Sequence, residues 1–108
     1  MKFTVFELPK ATADKRRIVE WIFERSPQGA AAWLNAYDQM AERLQTMASI
    51  LPVAPESKEL PLEVRQIFFK TRHGRIYRAA CYIEGQSVYI LRVRGPGQAP
   101  IQTDELDR

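Results

Sequence analysis

The sequence predicts an α+β fold, a two-helix hairpin packed on one face of a sheet, on three observations. Trp33, Tyr37, Met40, Leu44, Met47 and Leu51 recur at alternating steps of four and three, which sets them on one helical stripe. Three later segments, Val64 to Thr71, Arg75 to Ile83 and Ser87 to Arg94, are rich in β-branched, aromatic and aliphatic residues. Short polar connections containing glycine separate them, as in consecutive antiparallel hairpins. With 108 residues, 45% hydrophobic and 27% charged, the chain can fill one core and not two. The domain is expected over 1–101, with a mobile acidic tail over 102–108.

The elements follow in order. In Lys2 to Leu8, Phe3 and Val5 alternate with Thr4, Phe6 and Leu8, so an N-terminal strand is expected, ended by Pro9. Thr12 can cap a helix and Asp14 suits the positive end of its dipole, after which Ile18, Trp21, Ile22 and Arg25 keep helical spacing. Ser26-Pro27 restarts the pattern as an N-cap serine followed by a first-turn proline. The long stripe then forms the second helix. It spans too few heptads for a coiled-coil seam, so it is read as core against the sheet. Pro52 and Pro55 stop it, and a surface loop runs to Pro61. Three strands follow as a meander, with Gly74 and Gly85 available for positive φ in the two turns. Gly95-Pro96-Gly97-Gln98-Ala99-Pro100 ends the last strand.

Composition excludes several chemistries. One cysteine, Cys81, makes no internal disulfide, and with one histidine there is no thiolate or imidazole cage, so neither metal nor cofactor is expected. Without a neighbouring histidine, Cys81 is read as core. His73 falls in a predicted turn, away from the end of the last strand, where a general base would be of little use. Glu63 and Glu84 have no visible partner carboxylate for glycosidase chemistry. No apolar run reaches the roughly 20 residues of a spanning helix, and MKFTVFELPK lacks a signal-peptide pattern, so a cytoplasmic protein without membrane contact is expected.

The net charge of +3 is unevenly spread. Basic and acidic residues balance over 1–62, whereas Arg65, Lys70, Arg72, Arg75, Arg78, Arg92 and Arg94 face only Glu63 and Glu84 over 63–101. An acidic partner for that segment follows. Alternation places Ile76, Arg78, Ala80 and Tyr82 together on the middle strand. On the last strand it sets Val88, Ile90, Arg92 and Arg94 opposite Tyr89, Leu91 and Val93. With helices on one face, the other is left partly open, and guanidinium groups beside tyrosines there could hold a phosphate or stack on a base.

The element order, with Gly74-Arg75-Ile76-Tyr77-Arg78 and the strand Val88-Tyr89-Ile90-Leu91-Arg92-Val93-Arg94, resembles the RelE/ParE superfamily of bacterial toxins. The resemblance implies the toxin half of a type II toxin–antitoxin module, neutralised by a cognate antitoxin whose extended segment wraps it. It implies one of two targets: mRNA on the ribosome, cut by RelE-like members, or DNA gyrase, inhibited by ParE-like members. Arg78 matches the arginine of the family's Tyr-Arg motif and is the candidate catalytic residue. Arg65, Lys70, Arg75, Tyr82, Arg92 and Arg94 are candidates for holding the target. RelE-like nucleases place a tyrosine or histidine just after the last strand, where this chain has Gly95-Pro96-Gly97-Gln98. A non-catalytic RNA-binding module, or a degenerate toxin that binds only its antitoxin, are the competing readings.

Overall fold

The computed structural model describes residues 2–106, in the order strand, two helices, three strands. β1 (Thr4–Glu7) is followed at once by α1 (Pro9–Arg25). Pro9 therefore starts a helix as well as ending a strand, because its fixed φ and missing N–H suit the first helical turn. Thr12 and Asp14 lie inside α1 rather than at its cap, and the Thr12 hydroxyl donates back to the Glu7 carboxylate. α2 (Pro27–Met47) begins as the sequence predicts, with the Ser26 hydroxyl accepting the Gly29 N–H at 2.9 Å.

Trp33, Tyr37, Met40 and Leu44 of α2 are all buried, against Ile67, Phe69, Cys81, Val88 and Ile90 of the sheet. Trp33 is the centre of this packing, with ring centroids 5.6 Å from Tyr37 and 5.5 Å from both Phe69 and Tyr77. The helix tightens into a 3-10 turn at Ala48–Ile50, and Leu51 stays on the core side.

β2 (Arg65–Phe69), β3 (Tyr77–Glu84) and β4 (Ser87–Arg94) form the antiparallel meander. β1 adds to it in parallel beside β4, giving a mixed sheet of order β1-β4-β3-β2. Gly85 has φ +62° in the tight turn between Glu84 and Ser87, a conformation that costs other residues a steric penalty. Gly74 does not need a positive φ. A side chain there would collide with the Thr71 hydroxyl, so close approach accounts for that glycine.

Two irregularities of β4 shape the far end of the sheet. β1 stops opposite Ile90, leaving the outer edge of β4 uncovered beyond it. There α1 takes over, and the Asp14 carboxylate accepts the Val93 N–H at 2.9 Å, which satisfies an edge donor that would otherwise be buried unpaired. In addition, the register with β3 slips between Ala80 and Cys81, so that Leu91 and Arg92 together oppose Ala80. The bulge breaks the expected alternation. Val93 joins Val88 and Ile90 on the helix side, while Arg92 and Arg94 turn to the opposite face.

That opposite face is not open. Ala54, Val64, Ala80, Tyr82, Leu91 and Ile101 form a second buried cluster under the 3-10 turn Pro55–Glu59 and the segment after β4. Residues 102–106, expected to be part of a mobile tail, form a 3-10 turn at Thr103–Glu105 that lies against the sheet through Glu105. Residues 107 and 108 lie outside the described residues.

Candidate functional site

Arg78 of β3 stands directly opposite Arg94 of β4, and Arg92 opposite Ala80, so the three arginines share one end of the face turned away from the helices. The bulge at Leu91 brings them together; unbroken alternation would have pointed Arg92 and Arg94 at the helices. Each is met by a carboxylate. Arg78 donates through Nη1 to Glu56 Oε1 at 3.1 Å, through Nη2 to Glu56 Oε2, and to Gln66 Oε1 at 3.2 Å. Arg92 donates through Nε and Nη2 to Asp14 at 2.8 and 2.9 Å, and through Nη1 to Glu105 at 2.6 Å. Arg94 donates to the same Glu105 oxygen and, through Nε, to the Ala99 carbonyl at 3.2 Å.

The acids respond as this geometry requires. Burial raises the Asp14 pKa, but hydrogen bonds from Arg92, the Val93 amide and Arg17 outweigh it and hold the carboxyl below its ordinary range. In Glu56 burial is likewise outweighed, by Arg78 and backbone donors that include the Ile101 N–H. In Glu105 it is outweighed by the Gln102 N–H and Arg94. The Asp14 hydrogen bonds raise the Arg92 pKa in turn. All three carboxylates are thus stabilised as anions, and the arginine end of the sheet is a network of charge-assisted pairs.

The remaining sequence candidates are dispersed. Arg65 lies opposite Cys81, far along β2, bonded to the Leu51 carbonyl at 2.6 Å and to Glu63 at 2.9 Å. Lys70 is exposed just past β2, beside an open groove with Lys2, Arg43 and Phe68. Arg75 is exposed in the β2–β3 connection and has no ion pair among the described residues. Tyr82 is buried, its ring stacked 4.9 Å from Tyr89, which stacks in turn on Phe6 at 5.3 Å. Tyr77 belongs to the Trp33 cluster on the other side.

His73 lies at the same end of the sheet as Arg94, contrary to the sequence reading, but lines a hollow on the helix side with Trp21 and Trp33. Cys81 is fully buried, and that burial pushes its thiol up to about 12, which suits a core residue and not a nucleophile. Among the described residues no three His, Cys, Asp or Glu side chains are gathered as metal ligands would be. No helix among them is long and apolar enough to cross a membrane.

Sequence reasoning missed Asp14, Glu56 and Glu105 as the groups that set the state of the arginines. One signal was present for Glu105: an acidic stretch closely following a basic strand is placed to fold back on it.

No protein-family model and no curated protein matches the sequence. Among solved structures, a chain of the chromosomal ParDE TA system from P. aeruginosa superposes with a TM-score of 0.66 at 21% identity. The match covers 86% of this chain and 95% of that one. The fold is ParE-like. The overall arrangement of two helices on a four-stranded sheet is therefore shared with a chain of that system, and the arginine network stands on one face of that sheet.

Proposed function

We propose that this chain is the toxin of a type II toxin–antitoxin pair, neutralised by a cognate antitoxin, and that it acts as a ParE-like inhibitor of DNA gyrase. The observation that carries the reading is the correspondence with the ParDE chain over nearly the whole of that chain's length. Two features favour binding over RNA cleavage. Metal-free cleavage needs a group to deprotonate the 2′-hydroxyl and another to protonate the leaving oxygen. Between Gly95 and Leu106 the chain offers no imidazole or phenol for either task. The cations that would stabilise the phosphorane are held by Glu56, Asp14 and Glu105.

Induced expression in bacteria without the antitoxin is expected to arrest growth, and purified chain to block gyrase supercoiling while leaving ribosome-bound mRNA intact. Cleavage of that mRNA would replace the gyrase reading by the nuclease one. Undiminished colony formation at verified soluble expression would remove the toxin reading altogether.

A further inference from the structure

Of the three carboxylates that hold the arginines, one differs in how it is mounted. Asp14 belongs to a seventeen-residue helix and is 1% exposed, and Glu56 sits in a turn over the second apolar cluster. Glu105 comes instead from a three-residue 3-10 turn at the end of the described chain. It is reached by an exposed run, Pro96 to Pro100, and tied down by the buried side chain of Ile101, whose N–H donates to Glu56 at 3.2 Å, with Leu106 partly buried against the same cluster. The turn is braced from within by the Gln102 N–H on Glu105 Oε2 at 2.8 Å, and from α1 by Lys10 Nζ on the Asp104 carbonyl at 3.2 Å. Segments of this kind, with few buried apolar contacts, lie at the low-stability end of a fold.

A single oxygen, Glu105 Oε1, receives one donor from each of Arg92 and Arg94. Lifting the segment would free both, and Arg94 Nε as well, because its acceptor Ala99 travels with the same segment. Arg92 would still be oriented by Asp14 through its other two nitrogens. The result is two neighbouring guanidinium groups with converging donors and only Asp14 left to offset them. One carboxylate oxygen fills part of that site. A tetrahedral oxyanion offers several oxygens to the same donors, and guanidinium groups match phosphate geometry well.

We infer that residues 99–106 are a latch, in which Glu105 occupies a phosphate-class anion site built from Arg92 and Arg94 and keeps it closed until the segment lifts. This goes beyond the toxin reading and does not depend on which target is poisoned. The phosphate can be free or part of a nucleic-acid backbone, and the recognising chemistry is the same.

The test uses the full chain as wild type, Glu105→Ala, Glu105→Gln, Asp104→Ala and Glu105→Ala with Arg94→Ala, each checked for folding by circular dichroism. Inorganic phosphate and a short single-stranded RNA are titrated separately by calorimetry at one fixed low salt concentration. Both Glu105 variants are expected to bind inorganic phosphate at least about tenfold tighter than wild type, and Arg94→Ala to abolish the gain. A gain with RNA alone would support the site with a backbone phosphate as its occupant. An equal gain in Asp104→Ala would reduce the effect to net charge and overturn the latch, as would no gain in either Glu105 variant. Growth arrest is not read here, so the latch and the toxin assignment can fail separately.

Discussion

Replacing Asp14 by alanine is expected to destabilise the fold by about 3–5 kcal/mol, the range for removing one partner of a buried ion pair. The carboxylate is 1% exposed and serves Arg92 twice, Arg17 once and the Val93 amide once. Its loss would leave a guanidinium that is 13% exposed without its main partner, and a buried edge N–H with none. For a domain of this size the corresponding fall in Tm is at least about 12 °C. Asp14→Asn, which can still accept from Val93 but carries no charge, should fall between alanine and wild type. Urea denaturation followed by circular dichroism measures both. A loss below about 1 kcal/mol, the scale of an exposed pair, would mean that apolar packing of α1 alone secures the edge of β4.

The same carboxylate contributes to the acid limit of the protein. Its pKa is lowered on folding from an ordinary 3.8, so its contribution is complete above that value and is lost as pH falls through the folded pKa. Glu7, Glu56 and Glu105 shift in the same direction from 4.5. Wild-type stability should therefore be insensitive to these groups above about pH 5 and fall below about pH 4, and Asp14→Ala should lose less over that acid interval than wild type does.

What the sequence made legible is what local periodicity controls. The stripe from Trp33 to Leu44 is buried because helical spacing sets those side chains on one face whatever they pack against. The Ser26-Pro27 start and the Gly85 turn are equally local. The site depended on partners that no window of the sequence brings together: Arg92 finds Asp14 78 residues away, and Arg78 finds Glu56 22 residues away. The bulge that turns Arg92 and Arg94 onto the face of Arg78 carries no glycine or proline to announce it, since it sits at Leu91 within an unbroken strand pattern. A period-two reading was therefore right up to Leu91 and inverted from Arg92 onward, for the residues that matter most. Parallel pairing of β1 with β4 was also invisible locally, because an alternating segment is compatible with either edge and either direction.

Arg78→Ala is expected to cost about 2–3 kcal/mol, somewhat less than a fully buried pair because Arg78 remains 18% exposed while Glu56 is 8% exposed. The damage is electrostatic in origin. Without Arg78, burial raises the Glu56 pKa with only backbone donors left to oppose it, and the turn at Pro55–Glu59 and the Ile101 N–H lose a fixed anion. Removing the charge as well relieves that cost, so Arg78→Ala combined with Glu56→Gln, whose amide oxygen can still accept the Ile101 N–H, should recover most of the lost stability, a coupling that a double-mutant cycle reads directly. On the proposed toxin reading, growth arrest follows the same arithmetic. The guanidinium donates to Glu56 through both terminal nitrogens and to Gln66 besides, which leaves it little to offer a target. The single variant should lose potency with its stability, and the double variant should regain both. A double variant that is stable yet harmless in cells would reverse the conclusion, making Arg78 a residue that touches the target directly.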